Sequence, residues 1–257
     1  MKNWKKIVSI ILAIVALVCI VLIAVYYWRQ YQNQKIYEQM QDLVDDVEEE
    51  PPEEPEDPGV EIPIDFASLW AINEEIYAWI QIDGTDISHP ILQSATDDTY
   101  YLDHTAEKKY GYPGAIFTER CNSKDFTEFN TLIYGHNMLS GNMFQQLHNY
   151  SDPAFMTEHP YVVIYTPEKK LEYRIFAAVV YDDRHIMKSF DFNNEQHRQS
   201  FLDSIYSSRN MANVIDPEVS VNTDSRIITL STCFSGDKTK RFLVEAVLES
   251  ERPKKAE

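Results

Sequence analysis

The feature that most limits what this chain can become is the run from Ile7 to Trp28, in which Ser9 is the only clearly polar residue. As a helix rising about 1.5 Å per residue, it spans roughly 33 Å, enough to cross the hydrocarbon core of a bilayer. Lys2, Lys5 and Lys6 precede it, so the positive-inside rule puts residues 1–6 in the cytoplasm and everything after Trp28 outside. A cleaved signal peptide is the competing interpretation. No small-x-small cleavage site comes before Tyr26-Tyr27-Trp28, and Val18 stands where a lipoprotein site before Cys19 needs a small residue. The expectation is an uncleaved transmembrane signal anchor over 7–28 and a single-pass protein of the cell membrane.

Residues 29–44 are mostly polar, with Ile36, Met40 and Val44 at spacing four, which suggests a short stalk helix. Asp45 to Pro58 then hold nine acidic residues and four prolines in fourteen positions. Such a stretch has nothing to bury and reads as a solvated spacer. Residues 29–61 thus form a stalk and linker, 62–250 a folded domain, and 251–257 a charged tail. A net charge of −18 argues against a nucleic-acid partner, which needs a basic face. Three cysteines are too few for a disulfide scaffold, although a Cys121–Cys233 bridge is conceivable outside the cell. No His-x-x-His or Cys-x-x-Cys spacing, Ca²⁺-loop pattern or Gly-rich phosphate loop occurs, so neither a metal nor another cofactor is expected.

Within the domain, Asp65 can cap a short helix through Ile72. Tyr77–Ile82 alternates like a strand, and Asp83-Gly84 turns it into Ile87–Leu92. Ala115–Phe117 and Thr131–Tyr134 read as further strands, and Tyr161–Thr166 with Leu171–Tyr181 as a hairpin. Asn142–Tyr150 and Pro153–Glu158 suggest short helices, and Asn194–Ser207 an amphipathic one. Arg226–Cys233 and Arg241–Glu249 close the domain. About eight short strands fit a closed barrel or a sandwich, and periodicity does not choose between them.

The chemistry points to the last two strands. Thr229-Leu230-Ser231-Thr232-Cys233 is followed, eight positions after the cysteine, by Arg241, with a Ser235-Gly236-Asp237 turn between. Paired antiparallel, these strands bring a thiol and a guanidinium to one site. Cys233 shares a face with Ser231, Thr229 and Ile227, a partly polar set. A thiolate needs a nearby base or cation, and Tyr134-Gly135-His136-Asn137 at the end of Thr131–Ile133 supplies a candidate. Six other histidines, His89 among them, lie in polar or helical surroundings that suggest surface roles. Cys121, between Arg120 and Lys124, is a loop cysteine whose cationic neighbours favour some reactivity.

Thr229–Cys233 with Arg241, Tyr134-Gly135-His136, Trp70–Asn73, Trp79–Thr85, Pro90–Gln93 and the N-terminal anchor together resemble a sortase, more closely one of class B. The resemblance covers roughly residues 62–249. It implies a mostly β fold: a closed eight-stranded barrel with short helices and a helical N-terminal extension. It also implies a cysteine transpeptidase of Gram-positive bacteria, with Cys233 as nucleophile, His136 as proton shuttle and Arg241 holding an acyl oxyanion or substrate carbonyl. Ser231, Leu102 and Asp98 match substrate-contacting positions. The implied partners are a secreted protein with a C-terminal sorting signal, a peptidoglycan cross-bridge amine, and the membrane. Three rivals remain: a pilin-joining sortase using a lysine amine, a Cys–His cell-wall hydrolase, and a non-catalytic scaffold. The loop between Cys233 and Arg241 is short, and Phe234 directly follows the cysteine, so contacts from that loop do not carry over.

Overall fold

The computed structural model describes residues 2–44, 59–138 and 140–255. The β-branched run before Cys233 forms β8 (Ile227–Cys233), and the run after the turn forms β9 (Lys240–Pro253). Gly236 supplies the turn's left-handed backbone at φ 87°. The two strands pair antiparallel, from Ile227 opposite Val247 to Cys233 opposite Arg241. β9 extends past Glu249 because its other neighbour, β6 (Lys169–Asp182), offers hydrogen-bonding partners as far as Lys169 opposite Pro253. Glu251–Pro253 therefore continue the strand where composition suggests a charged tail.

The rest of the sheet follows from short hairpins and two parallel joins. β1 (Ile76–Gln81) turns through Asp83-Gly84 into β2 (Ser88–Leu92). β3 (Ile116–Thr118) runs parallel to β2, and β4 (Asn130–Tyr134) returns antiparallel to β3. β4 then pairs in parallel with β8. β5 (Tyr161–Tyr165) bonds both β1 and β6 and closes the ring in the order β5-β1-β2-β3-β4-β8-β9-β6. The result is a closed eight-stranded barrel, not a sandwich. A two-residue strand, β7 (Val214–Ile215), lies against β6 outside that ring.

Parallel neighbours need a long crossover, and the one from β4 to β8 carries most of the helices. These are α3 (Pro153–Glu158, capped by Asp152), α4 (Ile186–Ser189) and α5 (Glu195–Ser207, capped by Asn194). Phe201, Leu202 and Ile205 of α5 cover Leu132, Phe176, Val179 and Leu243 in an outer apolar cluster. Trp79, Ile91, Ile116, Ile164, Leu230 and Phe242 belong to the main one. β8 alternates between the two, Ile227 in the outer and Ile228 and Leu230 in the main cluster, and only Cys233 at its end is exposed. The face that carries Thr229 and Ser231 is thus buried despite its polarity.

The N-terminal segment departs from the sequence expectation. Helix α1 runs unbroken from Lys2 to Gln41, and its apolar part is exposed, with mean hydropathy 3.4 over its most apolar window. Its polar end is no free stalk. Ile36, Tyr37 and Met40 are buried in the main core, Gln41 Nε2 donates to Ser88 O (2.8 Å), and the Tyr37 hydroxyl donates to Gly114 O. The spacing of four seen in the sequence marks the face that docks; the partners of Tyr37 and Gln41 lie 77 and 47 positions later. Val44 bridges to Ile64, just before Asp65 caps α2 (Phe66–Ile72). The acidic run 45–58 itself lies outside the described residues, but the segments flanking it meet, so its length sets no distance from the membrane.

His89 is likewise not a surface histidine. It is buried in β2, edge-on to Tyr37 at 5.5 Å between ring centroids, with neither ring nitrogen hydrogen-bonded. Burial holds its pKa down at about 4. The docked helix makes a stability prediction. A chain beginning at residue 29 should melt clearly above one beginning at residue 60, and within the longer chain Met40→Ala should cost about 2–5 kcal/mol. Equal melting temperatures in thermal unfolding would show that the helix end contributes nothing.

Candidate active site

Two neighbouring strand ends build the site. β4 and β8 run parallel with Tyr134 opposite Ser231, so the residues that follow each strand emerge on the same side. The Gly135 N–H donates to Ser231 O (3.1 Å), which carries the ladder one step further. Asn137 Nδ2 then donates to Cys233 O (2.9 Å) and to Ser235 Oγ (3.0 Å). The loop after His136 is thereby fastened to the backbone of Cys233, a link for which the sequence gives no signal beyond Asn137 following His136. Gly135 has no room for a side chain: an added Cβ would lie 2.5 Å from Ile116 Cδ1 and 2.6 Å from the Phe144 ring.

His136 Nε2 donates to the Leu102 carbonyl (2.7 Å), and its ring lies 4.8 Å from that of Tyr112. A carbonyl only accepts, so Nε2 keeps its hydrogen and Nδ1 is the nitrogen free to exchange a proton. Leu102 comes from the 3-10 turn Tyr100–Leu102, and its side chain is exposed. Its carbonyl, rather than its side chain, is the group that orients the imidazole.

Cys233 is exposed and unbridged, and directly faces Arg241 across the ladder. Arg241 Nη1 donates to Lys238 O and Lys240 O, both at 3.1 Å. These bonds fix the guanidinium against its own turn and leave its remaining donors without a protein acceptor among the described residues. Phe234 does not project a polar contact; it joins a ring stack with His148 and Phe242, at 6.1 and 6.4 Å respectively. His148 and Phe242 are themselves 4.8 Å apart. The residue after the thiol is thus anchored to the 3-10 turn Gln145–Ser151.

Ser231 is buried one step behind Cys233 on its face. Asp98 makes its hydrogen bonds to Arg120 rather than to Cys233, His136 or Arg241. Arg120 grips it through the backbone N–H (2.9 Å), Nε (2.9 Å) and Nη2 (3.2 Å), which holds its carboxyl below the usual range. That pairing also removes Arg120 from Cys121. Burial and then Glu119 push the Cys121 thiol up to about 11, so it is less reactive than its sequence neighbours suggest. No group of three or more His, Cys, Asp or Glu side chains gathers as metal ligands among the described residues.

Behind the site lies a polar chain that sequence reading misses. Thr229 Oγ1 sits 2.8 Å from Glu245 Oε2 and 3.0 Å from Asn130 Oδ1, and all three residues are buried. One hydroxyl hydrogen cannot serve two acceptors at once, and a protonated Glu245 carboxyl donating to Thr229, which donates to Asn130, would satisfy both contacts. Burial raises the Glu245 pKa to about 8. The pair Thr229–Glu245 faces across the same ladder as Cys233–Arg241.

The comparisons with known proteins agree with this geometry. A family model described as the Sortase domain matches residues 80–249. Sortase B of Staphylococcus aureus is 32% identical over 183 residues, covering 70% of this chain and 73% of that protein. Among solved structures, sortase B of Bacillus anthracis superposes with a TM-score of 0.70 at 28% identity, covering 86% of this chain and 98% of that one. A Streptococcus pyogenes class B sortase involved in pilus biogenesis gives 0.61 at 29% identity, over 72% and 98%.

The Glu245 proton makes a prediction with a definite sign. The folded state holds it up to about pH 8, whereas the unfolded chain releases it near 4.5. Folding stability should therefore fall as pH rises from about 4.5 to 8 on this group's account. Glu245→Gln keeps the bonding without the ionisation and should flatten that slope in denaturant titrations. An unchanged slope would mean that Glu245 is ionised in the fold.

Proposed function

The chain belongs to the sortase family, in its class B branch, and from that premise we propose that it is a membrane-anchored transpeptidase working through Cys233, His136 and Arg241. It cuts a C-terminal sorting motif of a secreted protein and transfers the acyl part to a peptidoglycan cross-bridge amine. The observation that carries the reading is the register of Cys233 with Arg241, joined to the His136 loop through Asn137 and the Cys233 carbonyl.

In the first transfer, the Cys233 sulfur adds to the scissile carbonyl and the carbonyl pair moves onto oxygen. The unoccupied donors of Arg241 stabilise that oxyanion. The C–N bond then breaks, His136 gives its Nδ1 proton to the leaving amine, and a thioester remains. In the second transfer, the incoming amine attacks the thioester while His136 takes up its proton, and Cys233 leaves as thiolate. Leu102 serves through its carbonyl by holding the imidazole, and its exposed side chain borders the substrate path. Ser231 supports that path from one step behind the thiol, and Asp98 shapes it through the Arg120 clamp.

Similarity to a class B sortase involved in pilus biogenesis favours one alternative, in which the acceptor is a lysine side chain. Mass spectrometry of the native product distinguishes an isopeptide to lysine from a bond to a cross-bridge amine. A hydrolase would form no more product when amines are added.

Cys233→Ala should abolish both turnover and thioester trapping, and His136→Ala should remove proton transfer in both steps. Arg241→Lys keeps the charge and loses the fork, so kcat should fall by about 10²–10³-fold. Cys121→Ala should leave turnover unchanged. Activity surviving Cys233→Ala in a sorting-peptide assay would rule the mechanism out.

A further inference from the structure

The way α1 meets the barrel fixes which end of the barrel lies nearest the lipid. Asn33 Nδ2 donates to Tyr112 O (2.9 Å), and an added Cβ on Gly111 would come within 2.8 Å of the same nitrogen. Asn33 is five residues beyond Trp28 on an unbroken helix, a rise of roughly 7.5 Å. The headgroup layer outside each face of the hydrocarbon core is itself about 5–8 Å deep. The loop Glu107–Tyr112 therefore leaves α1 at the height of the headgroups. Tyr110 is 79% exposed and Tyr112 46% exposed, next to Lys108 and Lys109. Lys108 pairs with Glu75 and Lys109 with Glu107, so it is the exposed tyrosines that suit a bilayer interface, as do Tyr26, Tyr27 and Trp28 at the end of the apolar run. Tyr112 joins the two regions: its ring lies against His136, and both the Cys233 thiol and the Tyr26 phenol are near enough to raise its pKa further after burial.

We infer that the active-site end of the barrel rests on the membrane surface, with the loop Glu107–Tyr112 as a second lipid contact beside α1. The partner is the headgroup layer of the leaflet that α1 enters. This rests on the reading of residues 7–28 as a retained anchor. β6 spans roughly 45 Å from its Asp182 end, beside Arg241, to Lys169. The turn Pro167–Glu168 consequently lies at the opposite end of the barrel from the site. An acceptor amine carried on a lipid can then enter the site sideways, along the membrane, while a protein substrate approaches from the open side.

The test uses the full chain in phosphatidylcholine–phosphatidylglycerol vesicles, with a benzophenone amino acid at one position at a time. Tyr110→benzoylphenylalanine should yield a lipid adduct on irradiation, read as a mass shift of the peptide that carries it. Glu168→benzoylphenylalanine should yield none, and Leu22→benzoylphenylalanine should yield one because it lies within the anchor. Lys109→benzoylphenylalanine serves as a second probe of the loop should the first variant misfold. Adducts at Leu22 without any at Tyr110 or Lys109 would overturn the loop contact and leave the anchor standing. No adduct at Leu22 would remove the anchor, and the loop contact with it. Equal adducts at Tyr110 and Glu168 would also overturn the proposal, since they would mean that no one end of the barrel faces the lipid.

Discussion

The parallel pairing of β4 with β8 is the constraint on which the site depends. It sets Tyr134 opposite Ser231, so the chain beyond both strands leaves the barrel at one rim. The loop that carries His136 is then tied to β8 by the Gly135–Ser231 backbone bond and by the Asn137 side chain on the Cys233 carbonyl. The antiparallel partner β9 adds Arg241 from the other flank. Because β8 is buried on both faces until Cys233, the nucleophile emerges where the covering layers stop. A parallel join also demands a long crossover, and that crossover supplies α5, which covers the outer face.

Helix α1 does two jobs along one axis. Its first part has no polar face and suits a bilayer; its last turns carry Ile36, Tyr37 and Met40 into the core of the barrel. Nothing breaks the helix between them, so the orientation of the apolar segment passes rigidly to the barrel. Val44 and Ile64, on either side of the acidic run, meet in an isolated bridge.

Local signals in the sequence account for much of this structure. Asp65, Asp152 and Asn194 cap the helices they precede, and Asp83-Gly84 turns β1 into β2, because capping and turning are settled within a few residues. The facing of Cys233 and Arg241 was legible for the same reason, as a hairpin carries its register in its own length. The burial of His89, the docking of Met40 and the bond from Asn137 to Cys233 were not legible. Each depends on a partner dozens of residues away, and a polar residue looks the same in sequence whether water or a buried acceptor satisfies it. Glu245 illustrates the limit: the hairpin register sets Thr229 opposite it, and only the fold shows the pair buried with Asn130.

The place of β9 in the ring has a consequence for how the protein is made. This strand is the last in the chain, yet it sits between β8 and β6 and makes the longest pairings in the barrel. During synthesis at about 5–20 residues per second, the thiol leaves the ribosome before the strand that supplies Arg241 and closes the wall. A chain that stops short of Lys240 carries an exposed cysteine beside two open strand edges, which is the form most prone to pair with another chain. Pairing of β9 is thus also the step that sets Arg241 opposite the thiol.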